Sequence, residues 1–265
     1  MKISSASNPR IKELKKLRDG KYRRRYGKFL IEGKRECLRA KDCGIQIHEA
    51  FIKESASVEL EAELGSFGLN RSFIVADAIF EKVAMRSVEP LIVIAQTPEQ
   101  AMDDWSPKKG KAELLICCEG LEKPGNLGAI LRTADGIGAT GIVLLDSKTD
   151  VYNPNCIRAS LGAVFSLPIY ETTSELFLKF CQKNEIIPFA ASPFASTPYF
   201  AEDFSRSSAL IFGSEAFGLS DFWNDSQDTK KVQIPMRGIC DSLNVSVSAA
   251  IIGYECLRQR SLTRI

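Results

Sequence analysis

The sequence predicts an α/β protein in two parts, a small α/β domain followed by a larger one built on a mostly parallel sheet. Three observations carry that expectation. Short strand-like runs alternate with short helical stretches from residue 28 to residue 95, as in a small α/β unit. From residue 114 onward the strands read as near-continuous apolar runs, as parallel strands covered on both faces do. Between the two parts, residues 97–112 (TPEQAMDDWSPKKGKA) are polar and hold Pro98, Pro107 and Gly110, the composition of a linker.

Taken in order, Asn8 and Pro9 open a helix with Ile11, Leu14 and Leu17 as its apolar stripe and Gly20 as its stop. Residues 1–26 thus read as a basic arm. The small domain spans 27–96. It has strands over 28–32, 48–53, 72–75 and 91–95, and helical stretches over 34–41, 58–64 and from an Asp77 cap to 83. Trp105, in the linker, is expected to dock on one of the domains.

The larger domain, 113–265, opens with a strand over 114–118. Pro124 and Gly125 lead to a helix that Asn126 is expected to cap, with Leu127, Ile130, Leu131, Ala134 and Ile137 at core-facing spacing. Further strands are expected over 142–145, 165–170, 187–191, 209–212 and 231–234, and helices over 174–183 and 245–258. Residues 136–141 (GIGATG) match the dinucleotide fingerprint literally. That fingerprint works only from a strand into a helix, where the pyrophosphate meets the helix N-terminus. Here the order is reversed, so the glycines read as a helix end turning into a strand.

Composition narrows the function. A chain 45% hydrophobic and 26% charged is globular in type. No apolar run approaches the roughly 18 residues needed to cross a bilayer, and the N-terminus lacks the apolar stretch of a secretory signal. A cytoplasmic protein with no membrane partner is expected. The eight cysteines include no C-x-x-C pair and read as reduced core thiols. His48 is the only histidine. No zinc-type cluster is therefore expected, and Ser-His-Asp or Cys-His hydrolysis is hard to build.

Charge is uneven. Residues 1–28 carry eleven Lys or Arg against two acids, a net of +9, which leaves −7 for the rest of a chain whose total is +2. Such a basic segment on a mildly acidic body fits phosphate contact. Tyr22 and Tyr26 interleave with Arg23, Arg24 and Arg25, and aromatic rings and guanidinium planes stack on unpaired bases. Arg23, Arg24, Arg25 and Lys28 are the candidate RNA contacts.

Three segments place Gly, Asn, Ser, Glu or Arg where a strand has just ended: 126–132 (NLGAILR), 213–219 (GSEAFGL) and 234–246 (IPMRGICDSLNVS). Ligands bind beyond the carboxyl ends of strands in open α/β sheets, so three such loops can line one pocket. Arg132 lies off the apolar stripe of its helix, where a guanidinium can take a phosphate bidentately. Glu215 reads equally as a helix-start carboxylate or as a group holding the pocket. Ser242 and Asn244 can both cap the final helix, whose small residues Ser246, Ser248, Ala249 and Ala250 suit close packing against a loop, a ligand or a second subunit.

On these three segments the chain resembles the SpoU (TrmH-type) branch of the SPOUT RNA methyltransferases. Residues 113–260 cover that catalytic domain, and the stretch from Gly27 (GKFLIEGKRECLRA) resembles the start of the small, ribosomal-protein-like substrate-binding domain that many members carry. The resemblance implies a trefoil-knotted α/β domain that dimerises through this C-terminal half and binds S-adenosylmethionine. It implies methyl transfer to a ribose 2′-hydroxyl, ribosomal RNA being the expected substrate. A transfer RNA substrate, or a non-catalytic RNA-binding or assembly factor, is the alternative. Carried over by motif, Asn126, Arg132, Glu215, Ser242 and Asn244 occupy the functional polar positions. Gly213, Ile234 and Leu243 match cofactor contacts, with Met236 beside them. Ser214 and Ala216 stand where many relatives have Asn and Gly, which bears on substrate preference.

Overall fold

The structure, a computed structural model, describes residues 1–64, 71–85, 89–107, 110–147 and 149–262. It divides into two compact units, Met1–Glu99 with Asp150–Ser166, and Gln100–Thr149 with Leu167–Ile265.

The first unit begins with a short strand, β1 (Lys2–Ile3), followed by α1 (Pro9–Leu17). Asn8 accepts the Arg10 N–H at 2.9 Å, and Pro9 sits at the first helical position, where its missing N–H costs nothing. α1 ends before Gly20, at Leu17 with Arg18 as its C-cap, but the chain does not turn away there. Asp19 accepts the Lys21 N–H at 2.8 Å and starts a second helix, α2 (Gly20–Tyr26), which Gly27 ends at φ +59°. Ile11, Leu14 and Leu17 are fully buried with Leu30, Phe51 and Ile92, so the basic segment is built into this unit's core and is no loose arm. Then come β2 (Lys28–Glu32), α3 (Lys34–Asp42), β3 (Ile47–Lys53), α4 (Ser57–Leu64), β4 (Ser72–Val75), α5 (Asp77–Phe80) and β5 (Leu91–Gln96). The sheet order is β1-β4-β3-β5-β2, with β5 antiparallel to both β2 and β3.

The second unit starts in the expected linker. Trp105 docks edge-on to Phe180 with ring centroids 4.9 Å apart. Next are β6 (Leu114–Glu119), α6 (Pro124–Gly136) and β7 (Gly141–Leu145). Gly138, at φ +69°, lies between the end of α6 and the start of β7, so the glycines at 136–141 turn a helix into a strand as expected.

Beyond β7 the chain leaves this unit. Residues 150–166 carry α7 (Pro154–Ala159) and belong to the first unit. There Phe29 of β2 stacks on Tyr152 at 4.5 Å and on Phe165 at 6.0 Å. This corrects the start of the strand expected over 165–170, which is Ile169–Thr172 in the structure. Phe165 closes a 3₁₀ turn, Ala163–Phe165, and is buried in the first unit. The strand starts only after Pro168, which has no N–H for a ladder.

The chain returns for β8 (Ile169–Thr172), α8 (Ser174–Lys183), β9 (Ile187–Ala191), β10 (Ser208–Phe212), α9 (Asp221–Asp225), β11 (Lys230–Val232) and α10 (Val245–Leu262). The sheet runs β11-β9-β10-β6-β7-β8, and every neighbouring pair is parallel. α10 lies close on α6, because a Cβ on Gly253 would come within 2.7 Å of Ile137 Cδ1.

Candidate active site

The site forms where β6 and β10, adjacent and in parallel register (Phe212 opposite Cys118), end at the same edge of the sheet. α6 begins at Pro124 with Lys123 at its N-cap, and that cap has no side-chain hydrogen bond. Asn126 is therefore not the cap that the sequence suggests. Its side chain, in the first turn, is free to reach the other two loops. Asn126 Nδ2 donates to Glu215 Oε1 at 2.5 Å, and Asn244 Nδ2 donates to Asn126 Oδ1 at 3.3 Å. Asn244 Oδ1 accepts from the Ser246 N–H at 3.0 Å and its hydroxyl at 2.7 Å, so Asn244 caps α10 while it joins the site. One chain of amides and a carboxylate thus links all three segments.

The loop after β10 is closed on itself. Ser214 and Gly218 exchange two backbone hydrogen bonds of 2.9 Å. A Cβ on Gly213 would lie 2.1 Å from the Gly218 carbonyl carbon, so only glycine fits there. Beneath it, buried Glu119 accepts from the Ser220 N–H at 2.8 Å and the Ser220 hydroxyl at 2.6 Å. Ser174 Oγ lies 2.7 Å from Asp146 Oδ2 and 3.2 Å from Glu119 Oε1, and accepts from Trp223 Nε1 at 3.1 Å. Sequence reasoning missed this network. Its one visible signal is an acid closing the apolar run LLICCE of β6. Burial, with Glu215 adding, pushes the Cys118 thiol up to about 12.

The remaining site positions are placed but not tied in. Ile234 and Met236 are half-buried, and Ser242 and Leu243 are exposed. Among the described residues, the backbone of 235–243 makes no hydrogen bond. Arg132 is exposed on α6 and has no hydrogen bond or ion pair to the described residues. The structure therefore joins Asn126, Glu215 and Asn244 directly, and does not bond Arg132 or Ser242 to them.

In the first unit the basic residues divide. Arg23 is 4% exposed. It donates to Asp150 Oδ2 at 2.6 Å and to the carbonyls of Leu17 and Arg18 at 2.9 and 2.7 Å. Its burial and its Nε and Nη1 bonds hold it inside the unit, which corrects its place among the RNA contacts. Arg24 and Arg25 are exposed, and half-buried Lys28 has its Nζ 3.8 Å from Glu13. Among the described residues no His, Cys, Asp and Glu side chains gather as metal ligands, and no helix is long and apolar enough to cross a membrane.

Residues 113–254, more than half of the chain, match the SpoU rRNA methylase family. The chain belongs to that family. Outside the SpoU region, residues 8–95 match the MRM3-like substrate binding domain. The SpoU protein described here is 28% identical to the Bacillus subtilis 23S rRNA (guanosine(2553)-2′-O)-methyltransferase RlmP, over 96% of this chain and 98% of that one. The crystal structure of an RNA 2′-O ribose methyltransferase matches with a TM-score of 0.83 and 38% identity, covering 98% of this chain and 100% of that one. The SpoU methyltransferase AviRb from Streptomyces viridochromogenes, in complex with the cofactor AdoMet, matches with a TM-score of 0.87 and 26% identity, covering 96% and 98%.

Proposed function

We propose that this protein transfers a methyl group from S-adenosylmethionine to a ribose 2′-hydroxyl of ribosomal RNA. The observation that carries the reading is the Asn126–Glu215–Asn244 chain, which draws three separate loops to one sheet edge in a SpoU family member. Ribosomal RNA is favoured over transfer RNA because the B. subtilis relative, named for 23S rRNA, spans almost the whole of this chain. A non-catalytic factor would not need all five polar positions filled, as they are here.

The cofactor fits the residues present. Ile234, Met236 and Leu243 offer apolar surface, and the backbone of 235–243 offers donors and acceptors that are unused among the described residues, the pairing that seats a nucleoside. When bound, S-adenosylmethionine supplies an electrophilic methyl on a sulfonium.

The protein's own task is to present the hydroxyl. A ribose hydroxyl is a poor nucleophile near neutral pH and must lose its proton as it attacks. Arg132, whose donors are unused among the described residues, holds a substrate phosphate beside the hydroxyl, so that the hydroxyl is oriented and its proton passes to a phosphate oxygen as the methyl is transferred. Glu215 and the two amides fix the loops around it, and Ser242 adds a hydroxyl at the exposed mouth. Positioning of this kind supplies several kcal/mol, about 7–11 in ideal cases. Arg132→Ala is expected to lower methyl transfer by more than about tenfold, ~1.4 kcal/mol, with cofactor affinity unchanged. A smaller loss removes Arg132 from this role.

The same reading includes a homodimer through the C-terminal unit, a trefoil-knotted chain path there, and a cytoplasmic site of action. The dimer is supported by α10, whose apolar Val247 and Tyr254 (44% and 53% exposed) stand seven residues apart on one exposed stripe of the helix. The knot is supported by the chain's place in the SpoU family and its full-length likeness to the SpoU methyltransferase AviRb. The test of the whole reading supplies labelled cofactor and total unmodified RNA, then maps the label. Label on a ribose 2′-oxygen of ribosomal RNA is expected; no label, or label confined to bases, ends the reading.

A further inference from the structure

The first unit carries a groove of about 710 Å³ lined by Lys12, Glu13, Lys16, Arg25, Tyr26 and Lys28. Lys12 and Lys16 stand one turn apart on α1, and residues four apart share a helix face. Tyr26, at the end of α2 and in the same lining, is 38% exposed. Its ring lies 5.9 Å from that of Tyr22 at an interplanar angle of 31°. The Arg25 guanidinium sits 5.9 Å from the Tyr26 ring centroid, and Lys16 Nζ lies 5.8 Å from that of Tyr22. Lys28 is close to Glu13, but Lys12, Lys16 and Arg25 form no ion pair among the described residues.

Lys12, Lys16 and Arg25 thus supply cations without acidic partners among the described residues, in the same groove as an accessible aromatic ring. An RNA duplex could meet the cations through its phosphates, but its bases are stacked on one another and offer no open face to Tyr26. An unpaired nucleotide offers both, a phosphate for lysine and a base face for the ring. We infer that this groove holds unpaired nucleotides of the RNA, with a base on Tyr26 and the flanking phosphates on Lys12, Lys16 and Arg25. The inference rests on the RNA reading above and deepens it, because it assigns the first unit a preference for single-stranded over paired RNA.

The test measures fluorescence anisotropy of a short unstructured RNA strand, and of the same strand annealed to its complement, between about 50 and 200 mM salt. Tyr26→Ala is expected to weaken single-strand binding by about tenfold or more and to leave duplex binding within about twofold, while Tyr26→Phe keeps wild-type affinity. Lys12→Gln with Lys16→Gln is expected to reduce the single-strand salt slope by about 0.7 for each phosphate no longer neutralised. Equal losses on strand and duplex, or none on either, overturn the inference. Calorimetry with S-adenosylmethionine on the same proteins keeps the two readings apart. Normal cofactor heat with unaltered RNA binding in Tyr26→Ala sinks the groove alone, and strand-selective binding without cofactor heat sinks the methyltransferase reading alone.

Discussion

Asn126 makes two hydrogen bonds, each to a different loop, so its loss should be felt at both. Asn126→Ala and Glu215→Ala are each expected to cut methyl transfer. The double variant should lose less than the sum of the two in free energy, since groups in one network couple by about 0.5–3 kcal/mol. Strict additivity in single-turnover rates would show that the amide and carboxylate act separately. A second residue-scale expectation concerns the buried thiols. Burial pushes Cys118, Cys181 and Cys256 each from 9.0 up to about 12. The native thiols hold protons that the unfolded chain gives up, so this contribution to stability is whole below pH 9 and is lost as pH rises towards 12. Urea midpoints should fall over that window, and Cys181→Ala should flatten the fall. At this scale the sequence revealed residue types but not their partners. Asn126 looked like a cap and Arg23 like an RNA contact; a bond to Glu215 and a bridge to Asp150 are tertiary facts that no local pattern encodes.

Elements were more legible than partners, because periodicity and turn chemistry are local. The stripe of α1, the parallel strands and the helix-to-strand glycines at 136–141 all follow from pattern. α2 was missed because Gly20 reads as a stop, whereas Asp19 caps a new helix that begins at that glycine. The strand expected over 165–170 starts four residues late, at Ile169, because Phe165 finds its partner in Phe29, more than a hundred residues earlier. The closed loop after β10 yields a sharp expectation. Gly213→Ala drives a Cβ to 2.1 Å from the Gly218 backbone, which neither element can absorb without reshaping 213–219. Calorimetry should show S-adenosylmethionine affinity falling by about tenfold or more, with the thermal transition lowered by only a few degrees. Unchanged affinity would mean that this loop does not contact the cofactor.

At the scale of the whole molecule, the division into two parts was legible but the assignment of segments to each was not. The sequence offers one linker, over 97–112, whereas the chain crosses between units again at Asp150 and Leu167. A fragment beginning at residue 100 would carry Tyr152, Ile157 and Phe165 without the β2 surface they bury against. Such a fragment is expected to aggregate, and one with 150–166 replaced by a short Gly/Ser bridge to stay monodisperse or dimeric by light scattering. Equal behaviour of the two would show that 150–166 needs no partner. The same excursion limits how such proteins can be recombined. A chimera that exchanges only the front half at its obvious seam inherits an α7 strip shaped for the discarded β2, so a viable graft must carry 150–166 along with residues 1–99 as one inheritance.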